Sequence, residues 1–97
     1  MVKQKISLIV GSDNTTKTIN TDCLNKCLFI VSGFYDGFNI SFNDGYYKGV
    51  KEQSLTITIY TENLKEDDLN LMITKLKVEL KQESILKVVE NSNFCFI

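Results

Sequence analysis

Arginine, histidine, proline, tryptophan and alanine are all absent from this sequence of 97 residues. Without histidine the chain lacks the commonest general base near neutral pH and the commonest transition-metal ligand. Without arginine it lacks the forked, bidentate partner for phosphate and carboxylate groups. Any bound phosphate would depend on lysine, backbone amides or a helix N-terminus. The missing arginine, alanine and proline, beside abundant lysine, asparagine and isoleucine, fit the codon usage of an AT-rich genome and say little about mechanism. Three cysteines, Cys23, Cys27 and Cys95, are an odd number and too few for a disulfide scaffold. No stretch approaches the roughly 20 apolar residues of a transmembrane helix. The opening Met1–Lys5 leads into a strand-like stretch and not into a signal-peptide core. A cytoplasmic protein with reduced thiols is expected.

What is present is ordinary globular material: 43% hydrophobic and 24% charged residues, which argues against wholesale disorder. The length suits one domain, residues 1–97, with one modest core. Eleven lysines against 12 acids give a net charge of −1. That balance lacks the positive footprint by which nucleic-acid binders neutralise phosphates, so direct nucleic-acid binding is not expected.

Hydrophobic periodicity divides the chain. A β-branched stretch over residues 3–10 reads as a strand and stops at the turn cluster Gly11-Ser12-Asp13-Asn14. Ile19, Cys23, Leu24, Cys27, Leu28 and Val31 then fall on a helical stripe. Thr18 or Asn20 can cap its start, and Ser32-Gly33 ends it as a C-terminal glycine would. Phe38, Ile40 and Phe42 alternate with polar residues as a half-buried strand, and Asn43-Asp44-Gly45 reads as a turn. Leu55, Ile57 and Ile59 alternate again. The two strands read as an antiparallel pair joined by a loop of roughly ten residues, longer than hairpins usually carry. Asn63 to Glu66 has the form of a capping box, ahead of a helix with Leu69, Met72, Ile73, Leu76 and Leu80 on one stripe. Ser84–Val89 returns to strand character, and Phe94–Ile97 reads as a short closing strand.

The order is β-α-β-β-α-β. Its economical packing is α+β: a ferredoxin-like, four-stranded antiparallel sheet with both helices on one face. Right-handed crossovers put the first and third strands at the centre. The other face then shows Ser, Thr, Asn and Tyr side chains with Ile9.

Few residues offer chemistry. Structural zinc wants four ligands, and the three cysteines lack both the spacing and histidine partners, so they read as small buried hydrophobes and no metal is expected. Asp13–Thr16 is polar, but its spacing fails for a calcium loop. Tyr46, Tyr47 and Lys48 within Asp44–Gly49 offer a recognition patch, since tyrosine gives contact area at low entropy cost. The same tyrosines could merely cover a sheet edge. Gly45 to Gly49 is too short for a phosphate loop and lacks its ending. Glu52 and Glu83 are a candidate carboxylate pair for acid–base work or a divalent cation. The bland alternative is Glu52 bracing local backbone amides or Ser54.

Gly37-Phe38, Gly45-Tyr46-Tyr47-Lys48-Gly49, Lys51-Glu52-Gln53-Ser54 and Gln82-Glu83-Ser84-Ile85-Leu86 together resemble a family of small bacterial and phage proteins of unknown function. That family carries G-x-(W/Y)-x-G, (R/K)-E-x-S and Q-E-(S/A)-V-L elements. The resemblance spans residues 33–97 and, loosely, the first strand. A tyrosine stands here for the frequent tryptophan, and Lys51 for arginine. The resemblance implies a ferredoxin-like fold and a polar cluster of Glu52, Ser54, Gln82 and Glu83. It implies no particular activity.

The expected function is therefore a non-enzymatic binding protein from a phage or mobile element. It would occlude a host protein, for example a defence effector in the manner of an anti-CRISPR, with no cofactor and no membrane role. Tyr46, Tyr47, Lys48, Lys51, Glu52 and Gln82 are the residues expected at the partner or ligand. The alternative is a domain binding a small ligand or nucleotide in the cleft of a homodimer. An enzyme built on Glu52, Glu83 and a divalent metal is the third reading.

Overall fold

The computed structural model describes residues 2–12 and 15–97. Asp13 and Asn14, and with them part of the expected turn and of the polar run Asp13–Thr16, lie outside the described residues. The elements are β1 (Gln4–Gly11), α1 (Thr21–Ser32), β2 (Asn39–Tyr47), β3 (Val50–Thr61), α2 (Glu66–Glu79) and β4 (Leu86–Asn91). They form one antiparallel sheet in the order β2-β3-β1-β4, so the first and third strands are central, as right-handed crossovers require. The fold is the ferredoxin-like arrangement.

Strand alternation decides the core. Ile6, Leu8 and Val10 of β1 pair across the ladder with Ile59, Ile57 and Leu55 of β3, and all six are buried. Leu69, Met72 and Leu76 of α2, with Cys27 and Val31 of α1, close over them. Each such side chain contributes about 1.5–3 kcal/mol by leaving water. The alternate positions Ser7, Ile9, Thr56, Thr58, Ser41 and Asn43 lie together on the opposite face. Among the described residues no helix is long and apolar enough to cross a membrane.

Several local expectations need correction. The ten-residue loop does not exist. Asn43, Asp44 and Gly45 continue β2, and Tyr47 pairs with Val50 across a two-residue turn, Lys48-Gly49. Both turn residues have positive φ, 50° and 78°, the type I′ geometry that matches the twist of a hairpin. Glycine at the second position supplies this readily; lysine at the first does not. Because β1 pairs with β3 only as far as Ser54, the rungs from Asp44–Gln53 to the tip extend beyond the end of β1.

Asn20 does cap α1, its Oδ1 accepting the Cys23 backbone N–H at 2.8 Å. Gly33 does not end that helix in left-handed fashion: its φ of −73° is right-handed, and Tyr35 N–H still donates to Val31 C=O at 2.9 Å. The expected capping box at Asn63 is also absent. Lys65 holds the N-cap position without a side-chain bond, and Glu66, Asp67 and Asp68 complement the helix dipole instead. No closing strand forms at Phe94–Ile97. Phe94 turns to meet Tyr60 edge to face at 5.3 Å, and Lys3 Nζ donates to its carbonyl at 2.6 Å. Aromatic packing on the open sheet face takes precedence there over strand pairing.

Candidate functional site

A polar cluster gathers where β1 ends. Strand β1 runs out of the core at Gly11 and leaves Ser12 as the one buried polar residue among those described. Ser12 Oγ donates to Glu52 Oε2 over a long 3.5 Å, and Lys17 Nζ lies 4.0 Å from the same oxygen. Both charged side chains of that ion pair keep water contact, so it contributes little stability. From the other side, Gln82 Nε2 donates to Ser12 C=O at 3.2 Å. Gln53 ties down the connection into α1: its N–H donates to Lys17 C=O at 2.9 Å, and its Oε1 accepts the Ile19 N–H at 2.8 Å.

The backbone delivers these groups by unusual geometry. Lys17, Lys48 and Lys81 are the non-glycine residues with positive φ among those described. At Lys81 the reason is visible. It is the left-handed residue after α2, with its N–H on Val78 C=O and the Gln82 N–H on Lys77 C=O. This is the double-bonded Schellman ending that glycine normally occupies. A lysine there costs about 1 kcal/mol relative to glycine. The turn aims the Gln82 side chain back at β1. Gly11 leaves room for it, since a methyl there would stand 3.2 Å from Gln82 Oε1. Gly45 lies opposite Glu52 in the ladder, so no side chain from β2 covers Glu52 at that rung.

Beside the cluster a cavity of about 310 Å³ opens between the start of α1 and the end of α2, reached by Gly11, Asn20, Cys23, Lys81 and Gln82. Burial, then the negative charge of Asp22, raises the Cys23 pKa and keeps the thiol protonated. Burial, then Cys23, pushes Cys27 up to about 12. Neither is a ready nucleophile. The described residues hold no group of three acids or cysteines able to grip a metal ion.

Of the six residues expected at a site, the structure brings Glu52 and Gln82 together around Ser12. Tyr46, Tyr47, Lys48 and Lys51 sit at the hairpin tip instead. Tyr46 and Tyr47 are 70% and 67% exposed. Lys48 lies over the Tyr47 ring at 5.4 Å, and Lys51 pairs with Asp44 at 3.5 Å. Glu83 is exposed and takes part in none of the cluster's bonds. Glu52 braces Ser12 and Lys17, and not Ser54 as its nearness in sequence suggests. Sequence reasoning missed Ser12, Lys17 and Gln53. Gln53 carried a signal, because it extends the core-facing series Leu55, Ile57, Ile59 with a polar residue, and such a position needs a partner.

No family model and no curated protein matches the chain. Solved structures do. A phage SAM lyase in its apo state superposes with a TM-score of 0.67 at 22% identity, over 91% of this chain and 79% of that one. A phage SAM lyase in complex with S-methyl-5′-thioadenosine gives 0.67 at 20% identity, over 92% and 81%. A DUF3240 family protein from Shewanella baltica OS155 gives 0.61 at 13% identity, over 98% and 99%. Identities this low speak for a shared fold. The neighbours of a chain that reads as non-enzymatic thus include an enzyme from a phage.

Proposed function

We propose that this chain binds S-adenosylmethionine and cleaves a carbon–sulfur bond in it, releasing S-methyl-5′-thioadenosine. The observation that carries the reading is the meeting of Glu52 and Gln82 at buried Ser12, with Lys17 beside Glu52, next to a cavity that Gln82 lines. The phage SAM lyase fold, one example of which holds S-methyl-5′-thioadenosine, supports it.

The chemistry suits the residues available. The substrate has no phosphate, so no arginine fork for phosphate is needed. Its sulfonium is a cation, and Glu52 is a carboxylate left uncovered by Gly45. Gln82 Oε1 can accept from an adenine amino group while Nε2 holds Ser12. The leaving group is a neutral thioether and needs no general acid, so the lack of histidine does not weigh against catalysis. The electron pair that displaces sulfur can come from the substrate's own carboxylate. Attack on the carbon attached to sulfur closes a lactone and breaks the carbon–sulfur bond, with both electrons passing to sulfur. The protein's task is then to hold the folded conformer, for which orientation alone is worth about 7–11 kcal/mol at best.

Thermal melts with ligand test the binding half of the reading. Product at 100-fold its dissociation constant contributes about 2.7 kcal/mol, equivalent to roughly 10 °C or more in a domain of this size. S-methyl-5′-thioadenosine should produce that shift and ATP should not. No shift with either sulfur nucleoside refutes it.

One observation favours a second reading. The exposed tyrosines on the protruding hairpin suit occlusion of a host protein, including a defence effector. Capture from host lysate with wild type and a Tyr46→Ala, Tyr47→Ala variant decides it: equal recovery of the same proteins by both refutes the tyrosine surface.

A further inference from the structure

Lys17 is fixed at its backbone and only loosely paired at its tip. Its φ of 61° is left-handed, and Gln53 ties the chain down on either side of that bend. The Gln53 N–H donates to Lys17 C=O at 2.9 Å, and Gln53 Oε1 accepts the Ile19 N–H at 2.8 Å. The side chain is under no such constraint. Its Nζ stands 4.0 Å from Glu52 Oε2, and the two side chains are 43% and 29% exposed. A pair this open contributes little, so a competing charge can draw either partner away.

The segment that carries Lys17 also walls the cavity. Thr15 and Thr18 line it, with Asn20 and Gln82, while Lys17 between them reaches toward Glu52. S-adenosylmethionine bears both charges of the Lys17–Glu52 pair at one end: a sulfonium cation and, three carbons further on, a carboxylate. S-methyl-5′-thioadenosine bears neither. With adenosine in the cavity and sulfur at Glu52, the sulfonium competes with the lysine ammonium for one carboxylate and supplies another in exchange.

We infer that Lys17 and Glu52 change partners when substrate binds: the sulfonium takes Glu52, and Lys17 Nζ takes the substrate carboxylate. Both protein charges stay matched throughout, so none is left bare. The lysine contact holds the carboxylate end of the folded conformer in place. After cleavage the thioether is neutral and the carboxylate has become a lactone ester, so neither charge retains the products and the original pair re-forms. The inference rests on the thioadenosine reading and assigns Lys17 as the residue that recognises the amino-acid end.

Isothermal titration with two ligands that are not turned over tests it: S-adenosylhomocysteine, which keeps the carboxylate, and S-methyl-5′-thioadenosine, which lacks it. Lys17→Met should bind S-adenosylhomocysteine roughly tenfold more weakly than wild type and S-methyl-5′-thioadenosine equally well. Lys17→Arg, which keeps the cation, should recover most of the loss. A lysine that merely braced the β1–α1 connection would affect both ligands alike. Equal weakening of the two, no weakening of either, or a Lys17→Arg chain no better than Lys17→Met overturns the exchange and leaves the thioadenosine reading standing. A wild type that binds neither ligand refutes that reading, and the exchange with it.

Discussion

The side-chain amide of Gln82 donates to the backbone carbonyl of Ser12, 70 positions away in sequence, and joins the end of α2 to the end of β1. The bond is part-buried, and its loss leaves a carbonyl short of a partner. Gln82→Ala should therefore destabilise the fold by about 1–2 kcal/mol. Urea unfolding should show a lower midpoint with an unchanged slope. If Gln82→Ala has the wild-type midpoint, the tie is not a structural one.

Two lysines stand where glycine is the relaxed choice. Lys48 at φ 50° and Lys81 at φ 53° both carry a side chain in left-handed backbone. Lys48→Gly and Lys81→Gly should each raise stability, by about 0.5–1 kcal/mol after allowing for the greater entropy of glycine in the unfolded chain. The sites are in separate turns, so the two gains should add. Thermal melts of both single variants and the double variant check this. A loss of stability in Lys48→Gly would mean that the Lys48–Tyr47 stacking outweighs the strain.

The architecture was legible where burial imposes a period. Ile6-Leu8-Val10, Leu55-Ile57-Ile59 and the Leu69-Met72-Leu76 stripe announce their elements because each has a single buried face. The hairpin turn was hidden by Lys48, which occupies a position usually marked by asparagine or glycine, while Asn43-Asp44-Gly45 offered turn chemistry that strand pairing overrode. The end of α2 was hidden in the same way by Lys81. Of the site, Glu52 and Gln82 could be singled out from the sequence. Ser12 and Lys17 could not, because nothing local reveals that a β1–α1 connection and a β3 carboxylate meet.

The cysteines differ in surroundings and should differ in reactivity. Cys27 is buried, Cys23 half-buried and Cys95 exposed. Iodoacetamide at pH 8 should label Cys95 first and Cys27 last, as followed by peptide mass spectrometry. Rapid labelling of Cys27 in the native protein would contradict its place in the core.

Alkaline stability follows from the same burial. The unfolded Cys27 thiol loses its proton around its ordinary value of 9.0, while the folded one holds it to about 12. Between these values the native state binds more protons than the unfolded state, so stability falls as pH rises. Tyr35, raised by burial and then by Asp68 and Glu66, adds to the fall above pH 10. Urea midpoints should decline from about pH 9 upward, and Cys27→Val should flatten part of that decline. An identical pH slope in the variant would rule Cys27 out as a source.

Turnover is the most direct test of the proposed chemistry. Purified chain is incubated with S-adenosylmethionine, and S-methyl-5′-thioadenosine is followed by chromatography against a protein-free control. Wild type should accumulate product well above the control, and Glu52→Gln, with its fold intact, should be slower by roughly 10²-fold, as expected for removal of an electrostatic partner of the reacting centre. Wild-type product no greater than the control would contradict the account.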